Sequence, residues 1–254
     1  MSEAITIEDV AGGVRLIRWN RPAKKNALTG AMYDAATSAL EDADANSEKI
    51  GAVVFAGLPG AFTAGNDLGD FFAAGTEPRA AFAEMPALRF IRQLARTRTP
   101  LVAAVDGLAI GVGTTLTLHC DLVYVSPQAR FRMPFVELGV VPEAAASHLL
   151  PRRIGPARAA ALLLLCEPFD GAAAVSMGLA NGLLPSEEVE AHAMGQAARL
   201  AALPRRAVQA TRALMRGEQG AVEAAIEAEA QAFEAGLRDP ETQARLARFL
   251  SGKA

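Results

Sequence analysis

Cysteine is scarce in this chain. Its 254 residues include two, Cys120 and Cys166, far apart. That excludes a disulfide framework and fits a reducing compartment. Aromatic residues make up 6%, so any core is mostly aliphatic. No long run of one charge sign occurs, and the formal net charge of −3 argues against nucleic acid as the main partner. The start, MSEAITIEDV, lacks the basic and apolar regions of a secretory signal, and the final SGKA is not a peroxisomal address. The longest apolar run, Leu101 to Leu118, carries Asp106 and three glycines. It reads as a buried strand, turn and helix rather than a membrane span. The expectation is a cytoplasmic protein with neither membrane nor nucleic acid as partner. His119, His148 and His192 have no metal-ligand spacing with each other or with the cysteines, so no metal is expected. No G-x-S-x-G is present, which removes the usual signature of a serine hydrolase.

Hydrophobic residues are plentiful at 51%, enough for a sizeable core. Ala4–Asp9 and Val14–Trp19 read as a hairpin through Gly12-Gly13. Thr29 suits an N-cap, with Met32, Ala36, Leu40 and Ala43 following at helical spacing. Short apolar strands at Gly51–Ala56, Leu101–Val105 and Leu122–Val125 alternate with helices at Pro86–Arg96 and from Thr114 to His119. That order predicts an α/β fold with parallel strands. Beyond residue 150 the composition is helical, with segments at Ala157–Cys166, Gly171–Met177, Leu203–Arg216 and Ala221–Leu237 and almost no strand signal. Val222, Ile226, Phe233 and Leu237 make one apolar face of the last of these, which fits packing on the chain's own core or on a neighbouring subunit.

Two glycine turns stand out, each just past a buried strand. One is Phe62-Thr63-Ala64-Gly65-Asn66-Asp67-Leu68. The other is Gly107-Leu108-Ala109-Ile110-Gly111-Val112-Gly113, which runs into a helix. Taken alone, each is an ordinary connection. Taken together, they can aim two main-chain N–H groups at one oxygen, an oxyanion hole. A dinucleotide fingerprint is a poor fit, because Leu116 stands where its third glycine belongs. A lone carboxylate, Glu143, follows Val140-Val141-Pro142 and precedes three alanines. The proline and alanines predict a helix with Glu143 in its first turn. There the carboxylate reads either as a proton-abstracting base in an apolar pocket or as a dipole partner.

Several motifs in register give these pieces a common frame. Asn20-Arg21-Pro22 with Asn26-Ala27-Leu28, Ala64 through Leu68, Asp106-Gly107 through Gly113, Cys120-Asp121 and Phe131 to Pro142 occur in order. Over nearly its whole length the chain resembles the crotonase superfamily of enoyl-CoA hydratases and isomerases. The resemblance implies an α/β fold, a spiral of ββα turns over residues 1–195, and a C-terminal helical trimerisation region over 196–254. It also implies an acyl-CoA thioester as substrate, no separate cofactor (coenzyme A being part of the substrate), and a homotrimer or dimer of trimers. By position, the oxyanion donors would be the backbone N–H groups of Asn66 and Val112. Lys24, Lys25, Ala27, Leu28, Ala64, Gly65, Asp67, Leu68 and Gly111 would bind the substrate. Two adjacent lysines are also what a solvated corner looks like.

Hydratases of that family use two glutamates, and their positions hold Thr115 and Phe135. Glu143 instead matches the peroxisomal-type Δ3,Δ2-enoyl-CoA isomerases, where a single glutamate is the base. The resemblance therefore implies a double-bond shift from C3 to C2 with Glu143 as the catalytic residue. Hydration or thioester hydrolysis by Glu143 alone, and a non-catalytic acyl-CoA-binding protein, are the alternatives. Glu137, Asp67 and Asp121 are expected in turn, loop-orienting and structural roles. Phe71, Phe72, Phe82, Met85 and Phe90 read as acyl-pocket or core residues.

Overall fold

The structure is a computed structural model that describes residues 4–67, 69 and 82–250. Two sheets run through it. The larger has the order β1 (Ile5–Val10), β2 (Val14–Trp19), β3 (Ala52–Ala56), β5 (Leu101–Val105), β7 (Leu122–Val125), β10 (Gly182–Leu183). Its β1–β2 pair is the expected antiparallel hairpin, and every other neighbour is parallel. The smaller sheet has the order β4 (Ala61–Thr63), β6 (Leu108–Ile110), β8 (Arg130–Arg132), β9 (Phe169–Asp170). Each central strand of the large sheet is followed by one in the small sheet: β3 by β4, β5 by β6, β7 by β8. The chain thus advances by one strand in both sheets per turn, which is the expected spiral.

The large sheet is covered on both faces, so its central strands are apolar without alternation. All five residues of β3 are buried, as are all five of β5. Val54 and Val102 pack with Val189, Ala193 and Ala197 of α7 (Ser186–Ala201). Phe55, one residue on, belongs to the main core with Trp19 and Phe90, because successive strand side chains point to opposite faces. Trp19 stacks on Phe55 with ring centroids 5.9 Å apart, and Phe90 meets both edge-on. Phe90 is therefore core.

The helices follow local signals closely. Thr29 caps α1 (Gly30–Ala45), accepting from Met32 N, and Met32, Ala36, Leu40 and Ala43 are buried. α2 spans Pro86–Arg96 as expected. The segment after the second glycine turn is one α-turn, α3 (Val112–Thr115), continued as a 3-10 turn over Leu116–His119. Then come α4 (Ala146–Ile154), α5 (Pro156–Leu164), α6 (Gly171–Ser176), α7, α8 (Arg205–Arg216), α9 (Gln219–Arg238) and α10 (Pro240–Leu250). The last hundred residues are not wholly helical: β9 and β10 each add two residues to a sheet. A two-residue strand is too short to show alternation in sequence.

Ile226, Phe233 and Leu237 of α9 join the main core. Off that face, Glu227 takes a bidentate pair from Arg92 at 2.7 and 2.8 Å, and Glu223 pairs with Arg96. These ion pairs fix α9 across α2. Among the described residues, no helix is long and apolar enough to cross a membrane.

Candidate active site

The Lys24–Leu28 loop and the first glycine turn are laced together along the backbone. Ala64 N donates to Lys25 O at 2.9 Å, Leu28 N to Gly65 O at 2.8 Å, and Asp67 N to Leu28 O at 2.8 Å. Buried Asn26 reinforces this, donating from its side chain to Ala61 O and accepting from Arg21 N. Arg21 in turn pairs with Asp67 at 2.6 Å and donates to Ala27 O. Asp67 thus orients the loop, also accepting from Gly69 N. Lys24 and Lys25 are exposed at this corner. Leu68 lies outside the described residues, as do Phe71 and Phe72.

The two glycine turns meet. Gly65 and Gly111 both have positive φ, and a Cβ added to Gly65 would come within 2.9 Å of Ile110 O. Only glycine permits that approach. The bonds bridging Leu28 to the first turn use Gly65 O and Asp67 N, so the intervening Asn66 N–H points away from Leu28. Val112 opens α3, where a helix N–H has no intrahelical acceptor. Among the described residues, neither N–H has a hydrogen-bond acceptor.

Beside these turns lies an apolar cavity of about 310 Å³. Leu28, Phe82, Met85 and Leu88 form part of one wall, and Ile226, Phe233 and Leu237 of α9 form another. Among the described residues, its titratable lining consists of Tyr33, Glu143 and Glu229. Asn66 also lines it, and the Tyr33 hydroxyl donates to Asn66 Oδ1. Of the site residues expected from sequence, Leu28, Asn66 and Glu143 line the cavity. The two lysines, Ala27, Ala64, Gly65, Asp67, Gly111 and Val112 belong to the surrounding loops and turns.

Glu143 departs from one expectation. It does not sit in a helix first turn. It lies in a segment with no regular structure, and α4 begins three residues later at Ala146. Ala144 and Ala145 intervene, both left-handed at φ 59° and 55°. Two successive non-glycine residues in that region cost about 1–3 kcal/mol each and persist only where the surroundings enforce them. Two contacts supply that here. His119 Nε2 donates to Ala144 O at 2.8 Å, and Ala145 N donates to Glu229 Oε2 at 2.6 Å. His119 is neutral, because complete burial pushes its pKa down to about 3.

Glu143 is 8% exposed. Burial raises its pKa to about 7; the hydroxyl of Thr115 opposes the rise, and the Glu229 carboxylate adds to it. Thr115 Oγ1 donates to Glu143 Oε1 at 2.8 Å. A carboxyl poised near 7 in an apolar cavity that Asn66 also lines can take a proton from carbon and give it back.

Glu229 and Tyr33 escape the sequence reading. For Glu229 a signal existed: residues 226, 229, 233 and 237 share one helix face, so a carboxylate interrupts the apolar stripe. For Tyr33 the only signal is a polar tip beside the buried face of α1. Glu137 is at the surface, paired with Arg132. Asp121 accepts from Leu101 N and Arg212 Nε, the structural role expected of it. Among the described residues, no three His, Cys, Asp or Glu side chains are arranged to hold a metal ion. Cys120 and Cys166 are free and buried.

A strand added to each sheet per turn, and two glycine turns that meet beside the buried Glu143, are the arrangement expected of the crotonase class. Residues 9–252 match the enoyl-CoA hydratase/isomerase family model, and the chain belongs to that family. It is 34% identical over 207 residues to enoyl-CoA delta isomerase 2 of Rattus norvegicus, covering 81% of this chain and 52% of that protein. The chain thus spans about half the length of that relative. It is 33% identical over 234 residues to a probable enoyl-CoA hydratase of Rhodobacter capsulatus, covering 91% and 82%. The structure of OdaA from Pseudomonas aeruginosa superposes with a TM-score of 0.92 at 39% identity, covering 98% of this chain and 99% of that one. Relatives under both names, isomerase and hydratase, therefore lie at similar distance.

Proposed function

We propose that this chain is an enoyl-CoA isomerase that moves a double bond from C3 to C2 of an acyl-CoA. The observation that carries the reading is Glu143, a carboxyl with its pKa raised to about 7 in an apolar cavity beside the Asn66 and Val112 turns. In the reaction, the thioester carbonyl accepts hydrogen bonds from the N–H groups of Asn66 and Val112. Glu143 takes a C2 proton, and the electron pair spreads over the dienolate. The same carboxyl then returns the proton to C4, leaving the double bond between C2 and C3. One carboxyl suffices for this, whereas Thr115 and Phe135 stand where the hydratases' glutamates are expected. Each oxyanion donor contributes about 2.7–4 kcal/mol in comparable sites. Lys24, Lys25, Ala27, Leu28, Ala64, Gly65, Asp67, Leu68 and Gly111 hold the coenzyme and thioester, and no further cofactor takes part.

The test is incubation with 3-hexenoyl-CoA, following formation of the conjugated 2-enoyl product, with 2-hexenoyl-CoA in parallel. Conjugation without hydration supports the isomerase. Hydration of the 2-enoyl substrate, or free coenzyme A as the main product, would favour the other crotonase reactions. Tight thioester binding without turnover would favour a binding protein.

The chain works in the cytoplasm as a homotrimer or dimer of trimers joined through its helical region. Support comes from apolar side chains left uncovered there: Leu164 and Leu165 at the end of α5, Leu203 before α8, and Leu214 and Met215 on α8. Sedimentation giving a stable monomer at micromolar concentration would overturn the oligomer.

A further inference from the structure

The geometry points to Glu229 of α9 as a positioning residue that holds the strained turn after Glu143 and so aims that carboxyl into the cavity. This rests on the reading of Glu143 as the base.

Glu229 is 6% exposed and lines the same cavity as Glu143. A second carboxylate there first suggests a two-carboxylate mechanism, supplied from the C-terminal helix. The hydrogen bonds argue otherwise. Oε2 accepts from Ala145 N at 2.6 Å, and Oε1 accepts from Ser147 N at 2.8 Å and from Ser147 Oγ at 2.5 Å. Three of about four acceptor positions on the carboxylate are thus filled. The donors include the unpaired N–H groups at the start of α4, so Glu229 from α9 supplies the cap that Ala145 cannot. Glu229 caps a distant helix and locks the second of two left-handed alanines directly after the base. Gln in its place would turn its N–H₂ group toward one of the two main-chain donors, Ala145 N or Ser147 N.

The position also has an electrostatic consequence. The charged and titratable groups around the pair are few. The Thr115 hydroxyl comes from α3, neutral His119 from the 3-10 turn behind it, and Tyr33 faces the cavity from α1. Among the described residues, none carries a compensating positive charge. The Glu229 carboxylate therefore acts on Glu143 as a like charge and raises its pKa.

The test measures Glu143 directly as well as by turnover. Glu229→Gln is expected to lower kcat for 3-hexenoyl-CoA by about 10- to 100-fold with KM within about threefold. The acid limb of kcat/KM should move to lower pH. A ¹³C-carboxyl NMR titration of Glu143, which needs no activity, should show its pKa falling in the variant. Glu229→Asp keeps the charge but loses reach, so kcat should fall while the acid limb moves less. This second variant decides the matter should Glu229→Gln fail to fold: near wild-type kcat in Glu229→Asp overturns the proposal. So does an unmoved Glu143 titration in Glu229→Gln. Failure of the base assignment reads differently, as wild-type turnover in Glu143→Gln with the NMR coupling intact.

Discussion

Thr115 donates its hydroxyl to Glu143 at 2.8 Å inside the protein, where both side chains are buried. Thr115 occupies a position expected to hold a glutamate in the hydratases. In this chain it does no acid–base work of its own. It stabilises the ionised form of the neighbouring carboxyl, against burial and Glu229, which favour the neutral form.

Replacing Thr115 by Val keeps the shape and removes the hydrogen bond. The Glu143 pKa should then rise above its present value of about 7. The acid limb of kcat/KM should move to higher pH, opposite to its movement in Glu229→Gln. Turnover at pH 7 should fall while turnover at pH 9 stays within severalfold of wild type. A limb that stays in place would show that Thr115 contributes only packing.

Glu143→Gln should lower isomerase turnover by about 10²–10⁴, the usual worth of a positioned general base. Acyl-CoA binding measured by calorimetry should change little, since the Asn66 and Val112 donors are main-chain groups. The same variant carries a stability prediction. A carboxyl titrating near 4.5 unfolded and about 7 folded binds more protons in the native state between those values. Its contribution to stability is full below about pH 4.5 and is lost as pH rises through 7, up to about 3 kcal/mol. Glu143→Gln should therefore melt above wild type at pH 8, with the difference closing toward pH 4.5.

His119 works in the reverse sense. Its pKa is depressed to about 3 from an ordinary 6.5, so its contribution is present above about pH 6.5 and is lost as pH falls toward 3. His119→Leu should flatten the acid side of the stability profile. At neutral pH it should cost about 1–3 kcal/mol, because Ala144 O is left buried without a donor. Urea unfolding at pH 7 and at pH 4.5 measures both effects.

Arg212 ties α8 to the sheet. It is 8% exposed, donates from Nε to Asp121 at 2.7 Å, and donates from Nη1 to Thr97 O at 2.5 Å. Arg212→Ala should destabilise the fold by about 1–3 kcal/mol, since buried Thr97 O loses its donor, while Asp121 keeps Leu101 N and Arg216. The activity of the molecules that remain folded should be unchanged. An equal loss of specific activity would place α8 in the site.

The elements that local chemistry decides were legible in the sequence. Leu101–Val105 and Leu122–Val125 are apolar runs between breakers, and Pro86–Arg96 begins with Pro and stops before Thr99-Pro100. The two glycine turns could be found because their glycines answer to backbone approach, which leaves a mark on residue type. The position of Glu143 could not be read so easily. Pro142 and the alanines favour a helix, yet Ala144 and Ala145 are forced left-handed by His119 and Glu229, 25 residues before and 84 residues after the alanines they contact. Local propensity cannot register a clamp brought in from that distance. Thr115 could be read as the loss of a carboxylate but not as a donor to another one, because that depends on where the two turns cross.

The position of α9 also bears on the order in which the protein is made. Ribosomal synthesis runs from the N-terminus at roughly 5–20 residues per second, and chains begin folding as they emerge. Glu143 leaves the ribosome long before Glu229, Phe233 and Leu237, which close its cavity wall and hold its turn. A nascent chain can therefore assemble both sheets and the glycine turns while the base still lies open to water, where burial cannot raise its pKa. The raised pKa of Glu143 therefore arrives only once α9 has been made, so a chain clipped before α9 would hold both sheets with this carboxyl still open to water.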